Sequence, residues 1–242
     1  VIRHDGSPRP GWPVETGAAL WASPVAVGDL DGDGDQEVIA GTTDGRVLAY
    51  DHDGAPLAGW PVTMGPDAAV HLAIGAVGGP YPRAVIAAAG EALRCLDHHG
   101  APYPDTVLRV FADPVTAAPV CGDLDGDGRS EVVVATGDRV FGFSPRSAAN
   151  VLSATLPAAV SGNLALADFD RDGDVEVVVP LQSGELHLLQ EDGTAFPGAW
   201  PVTVGTSRLE GVAVASYLGD VAPEIAVTVR EWTVTTLWAD GD

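Results

Sequence analysis

An all-β repeat architecture is what this sequence predicts, on three observations. The acidic segments GDLDGDGDQEVIAGT (28–42), GDLDGDGRSEVVVAT (122–136) and ADFDRDGDVEVVVPL (167–181) are copies of one pattern. A second marker, RVLAYDHDGAPLAGWPV (46–62), returns as LHLLQEDGTAFPGAWPV (186–202) and as VIRHDGSPRPGWPV (1–14). Weaker copies stand at 92–104 and 140–150, and the chain stops within another at 234–242. The third observation is local: short β-branched runs alternate with Gly, Pro and Asp-Gly turns, and no helical apolar period of useful length occurs. The turn residues Asp5, Asp53, His99, Arg146, Asp192 and Asp240 are spaced 48, 46, 47, 46 and 48 residues apart, a period of about 47 residues.

Each element of the period follows in order. SPVAVGD (23–29) supplies a first strand, the acidic loop follows, and EVIAGT (37–42) supplies the second. A Gly-containing turn leads to the third, RVLAY (46–50), and a DG turn leads to a short last segment ending in GWP. Four strands in each period of this length describe one blade of a β-propeller. First strands are equally expected at VHLAIGA (70–76), AAPVCGD (117–123), NLALADF (163–169) and GVAVASY (211–217), whose small residues suit a crowded axis. The blades then run at about 22–63, 68–108, 115–154, 160–204 and 209–242 plus 1–15, all within one domain. The array begins in the last part of a repeat and stops before that part. Residues 1–15 are therefore expected to supply the outer strand of the fifth blade and close the ring, which removes two sheet edges. A piece of a larger ring or an open array is the competing arrangement.

Composition bounds the function. Thirty-four acidic against twelve basic residues give a net charge of −22, which opposes nucleic-acid binding and avid binding to anionic membranes. No apolar run is long enough to insert in a membrane. Cys95 and Cys121, the only cysteines, lie in strand-like runs and match no zinc or redox spacing; two buried thiols or one disulfide are the alternatives. Val1 opens the chain with no signal peptide, which says little about localisation.

The acidic loops carry the chemistry. With Asp29 as position 1, side-chain oxygens come from Asp29, Asp31, Asp33 and Glu37 and a backbone carbonyl from Asp35. The second loop offers Asp123, Asp125, Asp127, Glu131 and the carbonyl of Arg129. The third offers Asp168, Asp170, Asp172, Glu176 and the carbonyl of Asp174. Oxygen ligands at alternate positions, with a turn glycine at position 6, suit Ca²⁺ better than Mg²⁺. Three ions are expected, which would bring the charge to about −16. An EF-hand fails because Ala40, Val134 and Val179 stand where its twelfth-position Glu belongs. In the second period positions 1, 3, 5 and 9 read as Gly75, Val77, Gly79 and Arg83; in the fifth they read as Ser216, Leu218, Asp220 and Glu224. Both have lost the site, and Pro80, Pro82 and Pro223 are candidates for holding those turns.

DxDGDGxxE followed by EVVVAT, a DG turn and GWP resembles the FG-GAP/VCBS class of β-propeller repeat, which includes the calcium-binding blades of integrin α-subunits. The resemblance covers essentially the whole chain. It implies Ca²⁺ in the loops, an extracellular or cell-surface setting, and a role in adhesion or ligand binding. The partner would be a protein or a glycan. A secreted polysaccharide lyase or hydrolase on the same scaffold, or a structural module of a surface assembly, are the alternatives; oligomeric state is left open.

No catalytic motif supports the enzyme reading. GxSxG, HExxH, CxxC and glycine-rich phosphate loops are all missing. His4, His52, His98 and His99 sit in or beside the DG turns, and His71 and His187 in strands, where structural roles are expected. Trp12, Trp60 and Trp200 recur at one repeat position and should pack between adjacent blades or cover an outer strand. Trp21, Tyr81 and Tyr103 break the repeat near inter-strand connections and are the ligand-stacking candidates.

Overall fold

The computed structural model describes residues 1–20, 25–65, 69–147, 149–216, 223–230 and 233–237. The chain divides into two compact units, Val1–Ala112 and Asp113–Asp242. In the first unit, β1 (Ala26–Gly28), β2 (Glu37–Gly41), β3 (Arg46–Tyr50) and β4 (Val62–Thr63) form one sheet in chain order. A second sheet holds β5 (Val70–Gly75), β6 (Ala84–Ala89), β7 (Ala92–Leu96) and β8 (Arg109–Val110). In the second unit, β9 (Val120–Gly122), β10 (Glu131–Thr136), β11 (Arg139–Phe143) and β12 (Asn150–Thr155) form the third sheet. The fourth contains β13 (Ala165–Ala167), β14 (Glu176–Pro180), β15 (Glu185–Leu189) and β16 (Val202–Thr203). The last, β17 (Leu209–Ala215), β18 (Glu224–Val229) and β19 (Thr233–Leu237), has three strands among the described residues. Every pairing is antiparallel between chain neighbours, so each predicted period is a meander.

Why the second strand of each sheet reads as an unbroken apolar run is now clear. β6, β10 and β14 are buried at every residue, because both faces of these central strands are covered. In the first unit Ile39, Val47 and Ala49 of one sheet pack against Val70, Leu72, Val85 and Ala87 of the next. In the second unit Val133, Ala135 and Val140 meet Val177 and Val179, and Val178, Leu186 and Leu188 meet Leu209, Ile225 and Val227. Sheets stacked face to face bury apolar area at about 25 cal/mol per Å², and this drives the fold.

The tryptophan marker fastens one repeat to the next. Trp60 is 9% exposed, and its Nε1–H donates to the carbonyl of His98 at 2.9 Å, in the DG-type turn of the following sheet. Trp12 repeats the contact, donating to the His52 carbonyl at 3.1 Å and meeting the Tyr50 ring edge-on at 6.1 Å. Trp200 is equally buried. Packing between repeats, expected from the recurrence, is what the structure shows for Trp12 and Trp60.

Register corrects the expected alignment of the second repeat. Gly28 pairs with Glu37, Gly122 with Glu131, Ala167 with Glu176 and Ala215 with Glu224, whereas in the second repeat Gly75 pairs with Ala84. Positions 1, 3, 5 and 9 there are therefore Ala76, Gly78, Pro80 and Ala84, one residue later than the sequence suggested. Val77 then falls at position 2, where Leu30, Leu124 and Phe169 are also buried. Cys95 and Cys121 form no disulfide: Cys95 is buried and Cys121 half-buried.

Candidate metal centres

Each acidic loop joins the first strand of a sheet to the second and is wound by its own carboxylates. Asp29 accepts from the backbone N–H of Gly32 at 2.7 Å and of Gly34 at 3.2 Å. Asp123 accepts from Asp127 and Gly128, and Asp168 from Arg171 and Gly173. Further along, Asp33, Asp127 and Asp172 cap the N–H of Asp35, Arg129 and Asp174 at 2.8, 2.8 and 3.0 Å. The position-6 glycines Gly34, Gly128 and Gly173 have φ of +94°, +82° and +107°, a region closed to most L-residues, so glycine is required there. Position 4 is also left-handed. Gly32 and Gly126 satisfy it, but the third loop places Arg171 there at φ +66°.

Position 9 closes each loop from beneath. Glu37, Glu131 and Glu176 are 1–2% exposed, and each accepts a hydrogen bond at Oε2 from the backbone N–H of Leu30, Leu124 or Phe169, at 2.7, 3.0 and 2.7 Å. Burial pushes all three carboxyls up, Glu131 and Glu176 to about 7; the acceptor bond works in the other direction, and the loop aspartates push further upward. A buried carboxylate surrounded by like charges is an arrangement that a cation relieves.

The donor sets fit a hard cation. One oxygen from each of Asp29, Asp31 and Asp33 lies within 4.8 Å of the others; Asp123, Asp125 and Asp127 do the same, as do Asp168, Asp170 and Glu176. Ligands at about 2.4 Å from one Ca²⁺ are at most about 4.8 Å apart, so these oxygens can share a single coordination sphere. Glu37 and Glu131 stand outside the tight triplets, as does Asp172. Asp35, Arg129 and Asp174 are expected to contribute carbonyls, and their side chains do other things. Asp35 faces His52 Nδ1 at 3.4 Å, and Arg129 pairs with Asp127 at 3.6 Å.

Asp174 was not legible as a neighbour of the second loop. Its Oδ1 sits 2.8 Å from where a Cβ on Gly126 would be, and its carboxyl is raised first by burial, then by Asp172 and by Asp123 and Asp125. Pro82, position 7 of the corrected second repeat, approaches Gly32 in the same way at 3.1 Å. Position 7 of one loop thus touches position 4 of the loop before it.

In the second repeat, hydrogen bonding and aromatic packing replace the acids. Tyr103 Oη donates to the carbonyl of Tyr81 at 2.6 Å, and the two rings meet edge-on at 5.8 Å with His98 against Tyr81 at 4.7 Å. Tyr103 is 1% exposed, so it offers no face to a ligand, contrary to the expectation from its position outside the repeat. Tyr81 is half-buried in the same cluster, and Trp21 lies outside the described residues. Leu218 and Asp220 of the fifth loop also lie outside them, whereas Glu224 keeps the buried position-9 place.

Known proteins place these observations. The FG-GAP-like repeat family matches residues 123–179, from the second acidic loop to the strand after the third. The structure is similar to the V. cholerae biofilm matrix protein Bap1, with TM-score 0.64 and 19% identity over 93% of this chain and 38% of that one. It is also similar to BBS1N, solved in complex with ARL6DN, with TM-score 0.66 and 17% identity over 93% of this chain and 66% of that one. The chain therefore spans well under half of Bap1 and about two thirds of BBS1N. No curated protein sequence matches it significantly. Among the described residues no helix is long and apolar enough to cross a membrane. Residues 123–179 are thus an FG-GAP-like repeat, set in a chain whose antiparallel four-stranded sheets have the propeller-like fold of Bap1 and BBS1N.

Proposed function

We propose that the chain is a calcium-stabilised, five-bladed β-propeller that works outside the cell as a non-catalytic binding or adhesion module for a protein or glycan. The observation that carries this reading is the set of three loops whose carboxylate oxygens each gather within one coordination sphere. Ca²⁺ at millimolar activity, the extracellular condition, would hold the loops and offset part of the −22 charge. Ring closure is supported by the match between segment 1–14 and the last quarter of a repeat. Ile2 bridges Pro8 across its DG turn as Tyr50 bridges Pro56 and Leu189 bridges Ala195. The sheet β17–β19 has three strands among the described residues, one fewer than the other four sheets.

Binding in place of catalysis is supported by the titratable groups. His71 and His187 lie in strands, and burial lowers both, with Glu185 acting in the other direction on His187. The acids that are raised belong to the loops. A protein partner has precedent in BBS1N bound to ARL6DN, and a matrix setting in Bap1. Protein and glycan arrays, probed in calcium and again in EDTA, test the reading. Calcium-dependent capture of one class is the expected result. Capture of neither in calcium, or cleavage of an arrayed glycan, would overturn it.

A further inference from the structure

The second sheet differs from the first where the tryptophan marker should be. Val62 pairs with Val47, and Arg109 with Leu93; those partners pair in turn with Gly41 and Ala88. Counting back two residues, Trp60–Pro61 of the first repeat corresponds to Val107–Leu108 of the second. By the same register Leu48 corresponds to Arg94, Tyr50 to Leu96 and Pro56 to Pro102. In the first repeat the slot between these residues is nearly filled by the indole, leaving about 50 Å³. In the second it opens to about 300 Å³, the size at which ligand pockets begin. Val107 and Leu108 stay 40% and 58% exposed at its rim.

One charged residue lines that slot. Arg94 and Leu96, two apart on β7 and so on one face, form its floor, with Val62, Pro102, Val107 and Leu108 as apolar walls. Arg94 makes no ion pair or hydrogen bond with any described residue, although acids outnumber bases 34 to 12 in this chain. Arg94 is half-buried and has no partner among the described residues, and a guanidinium so placed can bind a planar anion through two parallel N–H bonds. The nearby Cys95 thiol, pushed up to about 12 by burial, stays protonated and brings no competing charge.

We propose that this slot binds a carboxylate carrying a flat or branched apolar body, the body taking the space that Trp60 fills one repeat earlier and the carboxylate pairing with Arg94. A free small acid and the C-terminal carboxylate of a peptide ending in Trp or Leu share this chemistry. The acidic loops take no part, so failure of the calcium reading would leave this one standing.

Methyl NMR on the whole chain in calcium tests it, with indole-3-propionate and its amide as probes. A Leu-Trp dipeptide, with free and with amidated C-terminus, forms the second arm. The acid should shift the methyls of Val62, Leu96, Val107 and Leu108, and the amide should bind about tenfold more weakly. Arg94→Gln should remove that difference. Val107→Trp should fill the slot and abolish the shifts while keeping the native spectrum elsewhere. Preference for the free dipeptide over indole-3-propionate would assign the source as a peptide terminus, and the reverse a small acid. No shift at these methyls at millimolar probe, equal binding of acid and amide, or undiminished discrimination in Arg94→Gln would each overturn the proposal. The Arg94→Gln result decides even if Val107→Trp fails to fold.

Discussion

Glu131→Gln should change the sign of its effect on stability when calcium is removed. Glu131 is 1% exposed, accepts the Leu124 N–H at 3.0 Å, and is pushed from the usual 4.5 to about 7 by burial and then by Asp125, Asp127 and Asp123. Below pH of about 4.5 the carboxyl is protonated in both folded and unfolded chains and has no effect on the balance. As pH rises toward 7 the unfolded chain ionises first, so the metal-free fold loses stability across that window. The full loss corresponds to about 3 kcal/mol, reduced to about 1–3 kcal/mol by water around the exposed loop aspartates. Glutamine keeps an oxygen for Leu124 and removes the charge. In EDTA near pH 8 the variant should therefore melt about 2–10 °C above the parent. In millimolar calcium it should melt below the parent, because a ligand is gone. Thermal melts at about pH 5 and 8, each with calcium and with EDTA, supply the four values required. Destabilisation of equal size in calcium and EDTA would refute the reasoning, since Glu131 would then be only a hydrogen-bond acceptor.

Two further changes follow from the loops. Arg171→Gly relieves a left-handed residue at φ +66° where the other two loops have glycine, and should stabilise by about 0.5–1 kcal/mol after the greater freedom of the unfolded chain is counted; an unchanged or lower melting temperature in calorimetry would contradict this. Tyr103→Phe removes the donor to the Tyr81 carbonyl and should cost about 1–2 kcal/mol equally in calcium and in EDTA, since that loop has no acids; a loss confined to one condition would show that the second loop depends on the ions after all.

Much of the fold was readable because each repeat states its own boundaries. Gly34, Gly128 and Gly173 mark turns that only glycine forms easily, and the unbroken runs EVVVA and EVVVP mark strands covered on both faces. The second repeat was harder for a physical reason. Its loop has lost every acid, so no ligand residue marked position 1, and the pairing of Gly75 with Ala84 fixed the alignment. Tyr103 broke the repeat and so resembled a surface feature, but it is buried, with its hydroxyl donating to the Tyr81 carbonyl of a loop that has no acids. Asp174 belongs to one loop by sequence and to the surroundings of another in space, which no local pattern encodes. The absence of GWP at 106–108 was visible in the sequence, yet the cavity it leaves depends on Val62 of the preceding repeat.

Calcium titration of the metal-stripped chain by calorimetry, with elemental analysis of the saturated product, tests the central claim most directly. Three ions per chain are expected, one for each carboxylate triplet, falling to two when Asp125 is changed to Asn. A chain that takes up no calcium at millimolar concentration, or whose stoichiometry ignores Asp125→Asn, would show that these loops are acidic turns held by their own hydrogen bonds.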